Sequence, residues 1–248
     1  MILRSFTQHV KDQNWFAVGL DFMIVVVGVF VGLQVQNWNA ARGDRAEYIR
    51  ALDRLDVEIN ANLAMLDMLD PQSAQARQIV GHAFDVLQSC IESKENRKTI
   101  DNSFGDLSFT YGLHLQRNAL MDLTETARLL AQQSTIERKR FTEMLFNYNF
   151  LQQEFDFIET QPHRNPLSDN PIIGVGAVEQ FSGKYYGMEF SQKRRRAFLN
   201  VPIDEACQNN QLIKTFYIWE VLQAEIPTLS KKLRQELEAT KALLEARQ

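Results

Sequence analysis

The residues that could do chemistry in this chain are few and scattered. Its histidines, His9, His82, His114 and His163, each stand alone in sequence. Neither H-E-x-x-H nor C-x-x-C occurs, so the spacing that gathers imidazole or thiolate around one metal ion is lacking. The densest acidic group is Glu154, Asp156 and Glu159. Paired carboxylates can share general acid–base work, but acids set among Lys and Arg on helical patterns read as a solvated face. Gly174-Val175-Gly176 has no third glycine in register, and Gly183-Lys184 is followed by Tyr185, where a phosphate loop needs Ser or Thr. These read as turn glycines. No G-x-S-x-G nucleophile elbow occurs. The expectation is a non-enzymatic chain with no catalytic residue, no cofactor and no metal.

Two further groups carry charge or redox chemistry. Lys193-Arg194-Arg195-Arg196 could meet phosphate or anionic lipid. It stands alone in a chain of net charge −4, whereas nucleic-acid binding wants a broad basic footprint. A solvated turn or a protein contact is the expectation, with no nucleic acid among the partners. Cys90 and Cys207 are the only cysteines. In an oxidising compartment they could pair. Each falls in a predicted helix, so a bridge requires those helices to touch; two buried free thiols are the expectation, with the disulfide as the alternative.

The element that must position everything else is near the start. Residues 16–35 read FAVGLDFMIVVVGVFVGLQV, flanked by Trp15 and Trp38. As a helix, Trp15 to Trp38 spans roughly 35 Å, close to a bilayer core with its edges. Tryptophans at that separation act as interfacial anchors. A signal peptide has a shorter apolar core and a small-x-small cleavage site; here the run is longer, and Asn39 spoils the site before Ala41. A buried core helix would need protein on every face, and the whole chain is polar, with mean hydropathy −0.29. The expectation is one retained membrane helix over 15–38, after a short tail 1–14 and before an extramembrane domain over 39–248.

Asp21 lies about two turns inside Trp15, where an ionisable group costs a few kcal/mol unless it faces protein, water or headgroups. At 100° per residue, Gly28 and Gly32 fall about 20° to either side of Asp21, and Asn39 returns to the same line. Gly28 and Gly32 also make a G-x-x-x-G pair, which lets a second backbone approach closely. Asp21, Gly28, Gly32 and Asn39 therefore form a predicted contact face, for a membrane protein partner or a homo-oligomer. Arg4 and Lys11 precede the helix, while Arg42, Arg45, Arg50 and Arg54 follow it. A plain Lys/Arg count favours the C-terminal side as cytoplasmic, but long domains often cross despite flanking charge and a short basic tail before a first helix usually stays inside, so the expectation is a large domain outside the cytoplasm.

That domain reads as mainly α: a helical bundle with room for one short β-hairpin. Leucines and isoleucines at three- and four-residue spacing predict a helix over 45–69, ended by Pro71, and a second over 73–93. Residues 94–102 read as a charged linker, and 103–112 as a short strand or an aromatic-rich loop. Helix is expected again over 117–131. Ser134 with Glu137 makes a capping box opening a helix to about Thr160. Residues 162–200 form an irregular insert, with any hairpin inside 167–190. From Asp204 the pattern is helical to the end, with Pro227 forcing a kink or break.

Residues 20–55 resemble an uncharacterised bacterial family of single-pass membrane proteins. The resemblance rests on the Ile/Val/Gly-rich stretch Val27 to Val35 closing on Asn37-Trp38-Asn39. A drifted copy of a family segment lies over 117–148, with Leu123, Thr124, Leu129, Leu130 and Tyr148 in place and Glu125 where the family carries glycine. The resemblance implies a protein of the bacterial inner membrane with its basic tail inside and its domain in the periplasm. It implies no reaction. The functional expectation is a membrane-anchored accessory or interaction subunit of an envelope complex. A ligand-sensing domain working through a partner and an envelope enzyme are the alternatives.

Overall fold

The computed structural model describes residues 15–108, 110, 112–164, 166–185 and 188–247. The chain is mainly helical with one antiparallel hairpin. It comprises two compact units, one of residues up to Arg50 and one from Ala51 onwards. A single helix, α1 (Trp15–Gln88), contributes to both. The rest of the second unit follows as α2 (Lys94–Leu107), α3 (Asn118–Glu125), α4 (Ala127–Leu130), α5 (Thr135–Arg164), β1 (Ile173–Tyr185), β2 (Met188–Leu199), α6 (Ile203–Ala206) and α7 (Asn210–Glu245).

The second unit is built on three helices with one spacing rule. On α7 the buried face runs Leu212, Phe216, Trp219, Gln223, Ile226, Ser230, Leu233, Leu237, Thr240 and Leu244. On α5 it runs Glu137, Phe141, Met144, Tyr148, Leu151, Phe155 and Ile158. On α1 it includes Leu55, Ile59, Asn62, Leu66, Leu69, Ser73, Ala76, Val80, Ala83 and Leu87. Steps of four and three alternate throughout, an average of 3.5, which keeps one narrow seam facing neighbouring helices. Contacts along the seam fix direction. Phe84 stacks on Phe216 with ring centroids 5.3 Å apart, Arg234 meets Asp67 at 2.8 Å, and Lys241 donates to Asn60 at 2.7 Å. As α1 numbers rise, α7 numbers fall, so the two are antiparallel. Arg140 on α5 meets Glu236 on α7 at 2.5 Å.

Several expectations about boundaries are corrected. Pro71 does not end a helix, and Pro227 does not break one; both lie within α1 and α7. Both prolines are exposed, so each ring is carried on the outer side of its helix, away from the packed seam. Residues 94–102 are not a linker but most of α2, capped by Ser93, whose Oγ accepts from the Asn96 amide at 3.0 Å. The 103–107 stretch is helical, ending α2. The helix expected over 117–131 is divided into α3 and α4 at Thr126, whose backbone is extended. The Ser134–Glu137 capping box forms in both directions, at 2.6 and 3.3 Å. The α5 helix runs on to Arg164, past Pro162.

The hairpin is longer and later than expected. It pairs Ile173 with Leu199 through to Tyr185 with Met188, with an irregularity between Val175 and Val178. The base is anchored: Leu199 is buried, its amide donates to Asp101 at 2.8 Å, and Arg97 holds the Leu199 and Val201 carbonyls at 3.1 and 3.0 Å. At Gly174 a Cβ would lie 2.6 Å from the Phe198 ring, so a larger residue there would have to displace that ring. The cysteines sit just beyond helix ends rather than inside helices. Cys90 follows α1 in the left-handed region, φ 54°, as a helix-terminating residue often does. Cys90 and Cys207 are joined in a disulfide, Cα atoms 5.5 Å apart across 117 residues of sequence, so neither is a free thiol.

Candidate functional site

The apolar face of the first unit is the most unusual surface in the chain. The helix around residues 19–35 is long and apolar enough to cross a membrane, with an 18-residue window of mean hydropathy 1.8 and none of it buried. Phe22 is 70% exposed, and Ile24, Val27, Phe30 and Leu33 are exposed with it. Burying such side chains is worth about 1.5–3 kcal/mol each, so water is a poor solvent for this surface. Because the segment is helical throughout, Asp21, Gly28, Gly32 and Asn39 do share one face. A Cβ built on Gly28 or Gly32 would meet nothing within 4 Å. Their small size is therefore not demanded by packing within the chain. Trp38 is 62% exposed and carries the Arg42 guanidinium 5.8 Å from its ring centroid. The Trp15 side chain and residues 1–14, including His9, lie outside the described residues.

The basic run proves to be strand, not turn. It lies in β2, and its cations are turned to use inside the hairpin and against α2. Arg194 lies over the Phe181 ring at 4.4 Å, Arg195 donates to the Gly176 carbonyl at 3.1 Å, and Arg196 pairs with Glu179 at 3.5 Å and with Asn102. Gly174, Gly176 and Gly183 all lie in β1, which leads into another strand. They open no helix and so build no phosphate cradle of the helix-terminus kind.

The remaining candidates stay dispersed. Glu154, Asp156 and Glu159 ride on α5, where Asp156 accepts from Gln152 at 2.7 Å. Among the described residues no three His, Cys, Asp or Glu side chains gather as a metal-binding group. A half-open cleft of about 470 Å³ opens where the end of α5 meets the start of α7, with Leu107, Trp219 and Leu222 on its apolar side and Arg164 and Lys214 beside them.

What sequence reading missed is a polar thread in the seam. Asn62 is fully buried; its amide donates to the Gln116 carbonyl at 2.8 Å and to the Tyr148 hydroxyl at 3.3 Å. The Glu58 carboxylate accepts from the Ala119 and Leu120 amides at 2.8 and 3.3 Å, closing an α3 terminus that has no side-chain cap of its own. Burial outweighs those bonds and holds Glu58 above the usual carboxylate range. Burial also drives the Tyr148 hydroxyl well above its ordinary value. Extending the three-and-four spacing along the whole sequence would have flagged Asn62, Gln223, Ser230 and Thr240 as polar residues at seam positions.

No family model, no curated protein and no solved structure matches this chain.

Proposed function

We propose that this protein is a membrane-anchored, non-catalytic accessory subunit of a bacterial envelope complex. The observation that carries the reading is the exposed, membrane-length helix, on which Asp21, Gly28, Gly32 and Asn39 share one face and a Cβ built on Gly28 or Gly32 would meet nothing within 4 Å. Lipid covers the valine, isoleucine and phenylalanine faces. A partner helix, or a second copy, covers the stripe and shields Asp21 from hydrocarbon. The Cys90–Cys207 bridge suits an oxidising compartment, which supports a periplasmic bundle and a cytoplasmic basic tail. The resemblance of residues 20–55 to bacterial single-pass proteins points the same way.

The test is purification from membranes in mild detergent, with mass and composition measured. Gly28→Leu and Gly32→Leu should lower recovery of the partner or oligomer while leaving membrane insertion intact. Undiminished recovery in both variants would retire the stripe. A phosphatase reporter fused at the C-terminus should be active if the bundle lies outside the cytoplasm.

A second reading is a ligand-sensing domain acting through a partner. It is favoured by the 470 Å³ cleft, whose size is in the range of small-molecule sites. A stoichiometric small molecule in the purified monomer would favour it over the first.

A further inference from the structure

The seam between α1 and α7 carries polar atoms that packing does not explain. Ser230 is 3% exposed, and its Oγ has no hydrogen-bond partner among the described residues. Two turns earlier on α7, Gln223 is fully buried with both amide atoms unpartnered. A buried polar atom left unsatisfied is destabilising enough that few persist without a reason. Coiled seams of this spacing accept leucine at such positions readily, so serine and glutamine here ask for another explanation.

Ser230 lines a cleft of about 200 Å³ between the two helices, together with Ser73, Arg77, Lys231, Arg234 and Asp70. The donors are unevenly committed. The Arg77 guanidinium donates to the buried Ser73 Oγ at 2.8 Å, which leaves the Ser73 hydroxyl hydrogen free to point elsewhere. Arg234 is held at 2.8 and 3.2 Å by Asp67 and Asp70, so its charge is met and its position fixed. Both acids are occupied by that one arginine. Neither Arg77 nor Lys231 has a carboxylate within ion-pair distance among the described residues. The wall thus offers serine hydroxyls and uncompensated positive charge, and its only carboxylate, Asp70, is already engaged.

We propose that this cleft binds a small oxyanion of the phosphate or sulfate class. Ser230 and Ser73 donate from the floor, Arg77 and Lys231 supply charge from the rim, and Arg234, pinned by its aspartates, shapes the far wall. Charge-assisted bonds to anion oxygens are stronger than neutral ones, and the site is open at one side, so the anion retains part of its hydration. A divalent cation is the wrong sign for this rim. The inference does not depend on the accessory-subunit reading, because it concerns the bundle alone.

The experiment uses the full chain in detergent and titrates inorganic phosphate and sulfate by calorimetry, with sodium chloride at matched ionic strength as the blank. One-site saturable binding is expected. Ser230→Ala should weaken it about tenfold, and Lys231→Gln, on the exposed rim where it cannot disturb the core, severalfold; a control on α2, the exposed Lys98→Gln, should leave it unchanged. A short-chain phosphatidate forms a second arm. Competition at lower concentration than inorganic phosphate assigns the anion to a lipid headgroup, and weaker or no competition assigns it to a free ion. Non-saturating heat, or binding that Ser230→Ala and Lys231→Gln leave equal to wild type, would overturn the proposal.

Discussion

One helix, α1, carries two different kinds of apolar residue. From Gly19 to Val35 its large side chains are exposed on all sides. From Leu55 to Leu87 the buried ones fall on one narrow seam, while Val57, off the seam, is 67% exposed. The backbone is the same α-helix in both halves, so the difference lies in what the side chains require as solvent. A helix apolar all round needs a medium that covers every face, and lipid does so. A helix apolar on one seam needs only neighbouring helices, which α5 and α7 supply. Composition averaged over the whole helix hides this, and the pattern in each half reveals it.

The comparison can be broken by changing one half and reading the other. The largest effect belongs to the bundle. Cys90→Ser or Cys207→Ser should lower its unfolding free energy by about 4–5 kcal/mol, as expected for opening a loop of this length in the entropy model, with no change in membrane retention. Chemical denaturation of the full chain in detergent, with and without reductant, measures it. Next comes the seam. Phe216→Ala removes a fully buried ring stacked on Phe84 and should cost about 3–5 kcal/mol, read by the same denaturation curve. The apolar half gives a smaller and separate response. Val27→Arg should penalise insertion by about 2.5–3.5 kcal/mol, seen as loss from the membrane fraction while the bundle melts as in wild type. Equal effects of Val27→Arg on retention and on bundle melting would show that the halves are not independent.

The smallest effect sharpens the polar thread. Glu58 has its folded pKa raised above 4.5, chiefly by burial. The folded state therefore holds this proton more tightly than the unfolded chain. The stability it contributes is complete below about the unfolded pKa and is lost as pH rises through the folded pKa. Glu58→Gln should flatten the pH dependence of bundle stability over that window. An unchanged slope would mean that the carboxylate is not desolvated as its position beneath α3 implies.

How much was legible follows from the same contrast. The N-terminal helix was plain because every residue in it carries the signal. The helical character of the bundle was also plain, as was the Ser134–Glu137 box, whose chemistry is local. Pro71 and Pro227 misled because a proline at an exposed position in a packed helix is tolerated, and exposure is not a local property. The hairpin was placed too early because Lys193 to Arg196 look like solvated turn residues in sequence. Their partners, Phe181, Gly176, Glu179 and Asn102, come from across the strand pair and from α2. The disulfide depended on α1 and α6 ending side by side, a tertiary fact. Of the proposed contact face, the alignment of Asp21, Gly28 and Gly32 on one side of the helix could be read directly, since helical periodicity alone sets it. Ser230 could not, because its interest lies in having no partner once folded.

The most direct test of the contact face is photo-crosslinking in native membranes, with the reactive side chain placed at Gly28 in one variant and at Phe30, about 160° around the helix, in another. The account predicts a discrete protein adduct, to a partner or to a second copy, from position 28 and only lipid labelling from position 30. Equal protein adducts from both positions, or none from position 28 in a chain still held in the membrane, would contradict it.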